Sequence, residues 1–316
     1  MSKISLLVIT GPTASGKTAL AIEAASHLNG EIISADSMQI YRYMDIGTAK
    51  PTIEEQQGIP HHMIDIVDPD EEYNAALYQQ HAKDCIQDIA ERGKLPILAG
   101  GTGLYINSII YPMNFTDAVN DPDYRIQLQE MLVEYGALYL HNMLRKIDPD
   151  TADRLHHNDT RRIVRALEVY HVSGKTMKEC QQDYRKMESP YNLLLYGLTM
   201  DRQRLYDRIN LRVDNMIKAG LIQEVKSLLS RGYTKDLVSM QGLGYKEMIS
   251  YLRGLSTLDE TLSILKRDTR RFAKRQLTWF RREDRMLWLN RDKFNDSSSM
   301  TKWLITDVKK KLLSNW

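Results

Sequence analysis

Eight residues near the amino end, Gly11-Pro-Thr-Ala-Ser-Gly-Lys-Thr18, restrict the folds open to this chain more than any other segment. They satisfy G-x-x-x-x-G-K-[ST], and their flanks supply the setting that pattern needs. Ile4 to Thr10 is short, β-branched and almost wholly apolar, as a buried strand is; Ala19 to Leu28 is rich in helix formers and stops near Asn29 and Gly30. Glycines let backbone N–H groups converge on an anion, and the helix N-terminus adds the positive end of its dipole. On this reading Gly11, Thr13, Ala14, Ser15, Gly16, Lys17 and Thr18 bind a diphosphate, Lys17 neutralises terminal phosphate oxygens and Thr18 holds Mg²⁺. The loop specifies an anion and leaves the reaction open, because kinases, ATPases and GTPases share it. No N-K-x-D sequence occurs, which disfavours guanine nucleotides, and a nucleotide kinase stays open on these residues alone.

Two further strands end in loops of the same kind. Glu31 to Ala35 leads into Asp36, and Leu95 to Ala99 leads into Gly100 to Gly103. Strands alternating with helices predict an α/β fold, a parallel sheet covered by helices on both faces, with ligands beyond the carboxyl ends of the strands. A carboxylate at Asp36 can serve there as a general base or bind metal through water; it can equally cap the next turn. Thr102 lies among glycines that permit close approach of backbone to ligand, though a plain tight turn has the same composition.

Between about Thr116 and Pro190 the pattern changes to charged helical segments, including Asp123 to Leu144 and Thr160 to His171. We read an all-helical insertion, so that the chain divides into 1–115, the first part of the core; 116–190, the insertion; and 191–316, the second part, re-entered through a strand at Leu193 to Thr199. The Ser-rich Asp296 to Met300 reads as a loop before a last amphipathic helix ending near Trp316. A chain of 316 residues with 42% hydrophobic and 27% charged residues can build a sizeable core. No apolar run approaches the roughly 20 residues that span a bilayer, and Ile4 to Ile9 is wrongly flanked for a signal peptide, so a cytoplasmic protein without a membrane partner is expected. Two cysteines, Cys85 and Cys180, support neither a disulfide framework nor a paired-cysteine zinc site.

The net charge of +2 says little, but its distribution says more. Asp201 to Ala219 reads as a helix capped by Asp201. Leu205, Ile209, Arg212 and Met216 follow one another at helical spacing, so Arg212 falls inside the apolar stripe with Arg208 at its edge. An arginine there needs an anion, either a diphosphate or a core carboxylate. Leu262 to Arg285 carries nine Lys or Arg against three acids; Arg267, Arg270, Arg271, Lys274, Arg275, Arg281 and Arg282 share one face, opposite Leu265, Phe272, Gln276, Trp279 and Phe280. Positive charge of this density favours a nucleic-acid backbone, and Arg161, Arg162 and Arg165 form a second cluster. A small-molecule kinase leaves both clusters unexplained; a non-catalytic RNA-binding module, whose loop is structural or regulatory, stays open on these residues.

In order along the chain, GPTASGKT (11–18), SADSMQIY (34–41), IGTAKP (46–51), PHHMIDI (60–66), GGTGLY (100–105), NDTRRIVRALE (158–168), GLGYKE (242–247) and AKRQLTWFRR (273–282) together resemble the tRNA dimethylallyltransferases, also called tRNA isopentenyltransferases. The resemblance implies transfer of a prenyl group from dimethylallyl diphosphate, with Mg²⁺, to N6 of the adenosine 3′-adjacent to the anticodon, flipped into a channel through the protein. It implies that Asp36 is the general base, that Thr102 orients the reacting groups, and that Arg212 or Arg208 contacts the diphosphate. It further implies tRNA contacts at Asp36, Ser37, Met38, Gln39, Thr102, Arg161, Arg162, Arg165, Gln241, Gly242, Gly244 and Lys246, with the insertion gripping the anticodon stem-loop. To these the basic helix adds Arg271 and Arg275. No C-terminal zinc finger can form, which implies the bacterial type, and a monomer is expected.

Overall fold

A computed structural model describes residues 3–113, 115, 121–180, 184 and 187–312. Six strands form one parallel sheet: β1 (Ser5–Thr10), β2 (Gly30–Ala35), β3 (His61–His62), β4 (Leu95–Gly100), β5 (Asn192–Thr199) and β6 (Leu287–Asn290), in the order β3-β2-β4-β1-β5-β6. Every residue of β1 and β2 is buried, as a strand covered on both faces must be, and this explains their near-continuous apolar runs. The four strands expected from sequence are present; β3 and β6 are additional. Both are short edge strands whose pattern carries little periodic signal.

Thirteen helices are described: α1 (Lys17–Leu28), α2 (Ala75–Glu91), α3 (Gly103–Ile110), α4 (Pro122–Tyr135), α5 (Ala137–Ile147), α6 (Pro149–Arg154), α7 (Thr160–Ser173), α8 (Met177–Cys180), α9 (Arg202–Lys218), α10 (Leu221–Ser230), α11 (Tyr245–Leu252), α12 (Leu258–Phe280) and α13 (Ser297–Leu312). None of them is long and apolar enough to cross a membrane. The chain forms two compact units, Met1–Ile110 with Ser189–Trp316, and Tyr111–Glu188.

In the first unit, α1 and α13 cover one face of the sheet through Leu20, Ala24, Leu304 and Val308 against Leu7, Ile9, Ile32, Ile97 and Leu198. A second core joins α9 to α12 with the segment after β2, through Ile40, Met44, Val213, Val225, Tyr245 and Leu265. The second unit is closed around Leu128, Leu140, Leu144, Ile163 and Leu167.

Three readings need correction. The stretch Asp123 to Leu144 is two helices, because Gly136 at φ 81° breaks it where a side chain would be strained. The serines at 297–299 are the first turn of α13 and not a loop: Asp296 accepts the Ser299 N–H at 2.7 Å, a capping arrangement that serine-rich sequence readily forms. The end of that helix near Trp316 lies outside the described residues. On α12, Arg270 does not share the solvent face; it is half-buried, donates to Asn210 Oδ1 at 2.7 Å and lies over the Tyr206 ring, because α9 packs against that side. Cys85 is a free thiol whose pKa burial pushes up, as an inert cysteine requires; the Cys180 side chain lies outside the described residues.

Candidate active site

The parallel sheet brings five chain segments to one rim. Following β1, the loop Gly11–Gly16 turns through left-handed or glycine-favoured backbone at Gly11 (φ 151°), Ala14 (φ 63°) and Gly16 (φ 94°), and α1 opens directly at Lys17. The loop is anchored from below. Ala14 packs in a small cluster with Leu205 and Ile209 of α9 and Ala273 of α12, which sets both helices against the anion loop.

That packing decides which cations reach the loop. Arg208 is an exposed residue, yet its guanidinium is partly buried at the loop, where Nε donates to the Ala14 carbonyl at 2.8 Å. Arg212 Nη1 donates to Thr13 Oγ1 at 3.3 Å. The buried stripe of α9 is Leu205, Ile209 and Val213, so Arg212 lies at the stripe's edge and not at its centre, and turns into the site from there. Burial pushes its pKa down from the ordinary arginine value, as does Arg208, while Asp36 and Glu55 oppose the shift. Lys17 feels the same environment. Burial pushes it down to about 8, with the Asp36 carboxylate working against this and Arg212 adding to it.

Two residues at this rim escaped the sequence reading. Gln276 of α12 accepts the Thr13 N–H at 2.9 Å and donates to the Gly101 carbonyl at 2.9 Å, so a single amide ties the anion loop to the loop after β4. The sequence places it on the packed face of its helix, where a buried amide needs partners, and that is the available signal. Arg291, just beyond β6, donates to the Ser15 carbonyl at 3.3 Å. Nothing in its local sequence marks it.

Asp36 follows β2. Its Oδ1 accepts the Met38 N–H at 2.9 Å, so the capping role occurs, and its second oxygen makes no hydrogen bond among the described residues. Thr102 sits across from it: Thr102 Oγ1 accepts the Ser37 N–H at 3.0 Å and lies 3.3 Å from Ser37 Oγ, while its own N–H donates to the Ala35 carbonyl at 3.0 Å. Gly100 must be glycine here because a β-carbon would collide with the Ala35 backbone. Gln39 is engaged internally, accepting from Ser34 Oγ at 2.9 Å and donating to the carbonyls of Thr48 and Ala49. Glu224 of α10 takes the N–H groups of Asp45, Ile46 and Gly47 together with the Tyr245 hydroxyl, which fixes the segment after Asp36 against α11. The motif at 242–247 is thereby joined to the one at 34–41: a β-carbon on Gly242 would fall 2.5 Å from Met38 Cε. Gln241 and Lys246 are exposed beside this contact, and Gly244 opens α11 at φ 94°.

In the second unit, Arg161 and Arg162 on α7 are exposed, and Arg162 lies 3.3 Å from Asp159. Arg165 differs from them. It donates to Glu168, a fully buried carboxylate that Arg125 also holds. Arg125, Thr160, Arg161 and Arg165 line one pocket. Arg271 and Arg275 are exposed on α12, as are Arg267 and Lys274; Arg281 and Arg282 are exposed too but lie beyond the helix, which ends at Phe280, and so do not share its face as the sequence suggested.

Among the described residues no group of three or more His, Cys, Asp or Glu is arranged to hold a metal. The Thr18 hydroxyl makes no hydrogen bond among the described residues. A hard oxygen donor beside an anion loop fits Mg²⁺ held chiefly by substrate phosphates and water.

A parallel α/β sheet with a glycine-bearing loop between β1 and α1, cations around it and a half-engaged carboxylate at the same rim is the architecture of the phosphate-loop class of proteins. Comparison narrows the class: residues 39–283 match the family described as IPP transferase, and the chain belongs to that family. It is 54% identical to the tRNA dimethylallyltransferase of Acetivibrio thermocellus over 94% of this chain and 95% of the relative. It is also 54% identical to that of Carboxydothermus hydrogenoformans over 96% and 97%. Among solved structures, the tRNA isopentenylpyrophosphate transferase of Bacillus halodurans is 48% identical and superposes with a TM-score of 0.75 over 98% of this chain and 97% of the other. A eukaryotic dimethylallyltransferase acting on tRNA, 29% identical, superposes at 0.83 over 99% of this chain and 80% of its own.

Proposed function

We propose that this chain transfers the dimethylallyl group of dimethylallyl diphosphate to N6 of the adenosine 3′-adjacent to the anticodon in tRNA, releasing diphosphate. The observation that carries the reading is the pairing of the cations around the loop with Asp36, a carboxylate that keeps one oxygen without a hydrogen bond at the end of β2, two strands from β1 on the same rim.

The loop amides, Lys17, Arg212 and Arg208 bind the diphosphate. As the bond from the allylic carbon to oxygen breaks, its electron pair passes to the diphosphate, and these fixed positive groups stabilise the growing charge. Adenine N6 forms the new bond to that carbon. Its lone pair is delocalised into the ring, so the Asp36 carboxylate takes the N6 proton as the bond forms. Thr102 and Ser37, bonded to each other across the rim, orient the base and keep Asp36 in place. Mg²⁺ at Thr18, when bound, supplies further charge neutralisation on the phosphates.

Arg161, Arg162, Arg165, Gln241, Lys246, Arg271 and Arg275 contact the anticodon stem-loop, and Met38, Gln39, Gly242 and Gly244 shape the wall nearest the base. Phosphate contacts offset the few kcal/mol that extruding a base costs. Placing the substrate tRNA in the cytoplasm places the enzyme there, and one monomer carries all the groups the reaction requires.

Incubation with labelled dimethylallyl diphosphate, Mg²⁺ and an anticodon stem-loop, followed by digestion, should yield prenylated adenosine. Asp36→Ala should abolish this product while tRNA binding stays within a few fold. Transfer of label from γ-phosphate-labelled ATP with no prenylated product would instead establish a kinase.

A further inference from the structure

Arg291 lies 276 residues from Ser15 in sequence, yet its guanidinium rests on the anion loop. The placement follows from the sheet. β6 pairs in parallel with β5, Thr199 opposite Asn290, so the residue after β6 emerges at the same rim as the loop after β1. Nη1 donates to the Ser15 carbonyl at 3.3 Å and Nη2 to Ser297 Oγ at 2.6 Å. A guanidinium has five N–H donors, so three remain.

The guanidinium sits against Gly16, where α1 begins. A β-carbon on Gly16 would collide with Arg291 Nη1, and would lie 3.5 Å from its Cζ and 3.8 Å from Nη2 of Arg208. Two guanidiniums therefore converge on one glycine. The carboxylate next in sequence does not separate them, since Asp292 pairs with Arg204 and accepts the Asp201 N–H. Among the described residues no carboxylate stands within ion-pair distance of Arg208, Arg212 or Arg291. Like charges held this close, next to amides pointed outward from a helix N-terminus, are relieved when an anion is shared between them.

We infer that Arg291 is a diphosphate-binding residue, a cation that reaches the cradle beside Gly16. The inference rests on the prenyl-diphosphate reading of the site. It gives the cradle four cations: Lys17 at the helix start, Arg212 and Arg208 from α9, and Arg291 just after the edge strand β6.

Inorganic pyrophosphate with Mg²⁺, titrated calorimetrically into the full chain, tests this directly. Arg291→Gln can still donate to the Ser15 carbonyl but carries no charge, so a residue that only pins the loop would tolerate it. We expect pyrophosphate to bind about tenfold more weakly to Arg291→Gln, the KM for dimethylallyl diphosphate to rise in parallel, and the KM for tRNA to hold. Arg291→Lys should recover part of the loss, and both variants should melt with the wild type. Equal pyrophosphate affinity in wild type and Arg291→Gln overturns the inference and leaves the diphosphate reading intact. A wild-type protein that binds no pyrophosphate overturns both.

Discussion

Lys17 must carry its charge to hold a diphosphate, yet burial has moved its pKa to about 8. In the free protein it therefore loses its proton well below the ordinary lysine value of about 10.4. Below pH 8 the cation is present and donor binding is intact, and as pH rises through 8 the neutral amine replaces it. We expect the KM for dimethylallyl diphosphate to climb above pH 8. Lys17→Arg, weaker overall, should show a flat profile over the same range; identical profiles would mean that another group titrates. Glu31 presents the opposite case, at the far end of β2. Its carboxylate is buried and receives Arg92 at 2.5 and 2.7 Å, Lys94 at 2.7 Å and His62 at 2.7 Å. The Arg92 hydrogen bonds, opposed by burial and helped by Lys94 and His62, hold it well below the usual carboxylate range. A depressed folded pKa contributes stability that is complete above the unfolded value of about 4.3 and is lost as pH falls below it. Glu31→Gln should cost about 3 kcal/mol at neutral pH, at the low end for breaking a buried pair because its partners reach solvent. Urea melts at pH 7 and pH 4 should show the difference between variant and wild type shrinking at the lower pH, with prenyl transfer unchanged.

At the scale of elements, α12 does two things with two faces. Its buried face carries Gln276, which joins the anion loop to the loop bearing Thr102, and Trp279, whose ring lies against Gly103. Gln276→Ala would leave the Thr13 N–H and the Gly101 carbonyl without their partner, a loss of about 1–3 kcal/mol. Because both loops lose a common tether, we expect donor KM to rise several fold and kcat to fall, while tRNA affinity measured by filter binding is retained. A variant that only melts earlier, with unaltered kinetics at low temperature, would make Gln276 a stability residue and nothing more. The sequence pattern identified α12, its packed face and its charge. It misassigned Arg270, because only the packing of α9 shows that this side of the helix is covered.

Across the whole molecule, formal charge nearly cancels but is not evenly spread. Arg267, Arg271, Lys274 and Arg275 stand exposed on α12, with Arg281 and Arg282 in the turn just after it and Asp268 pairing Arg267 and Arg271. If this face meets the RNA backbone, Lys274→Ala with Arg275→Ala should weaken tRNA binding and reduce the slope of log affinity against log salt by about 1.5. Donor KM should not move. An unchanged slope would assign the face to solvent.

The strands β1, β2, β4 and β5, the anion loop and Asp36 at the rim were legible because local chemistry specifies them. An apolar run buried on both faces, a glycine that adopts positive φ without strain, and a helix start beside a lysine are all properties of neighbouring residues. Arg212 was legible as an arginine that needed an anion. Arg291, Gln276 and the edge strand β6 were not, since each acquires its meaning from residues distant in sequence. Which cations surround the loop was decided by the parallel docking of β6 on β5 and by Ala14 packing against α9 and α12. Sequence periodicity records which side of an element is buried, while only the folded chain determines what that side is buried against.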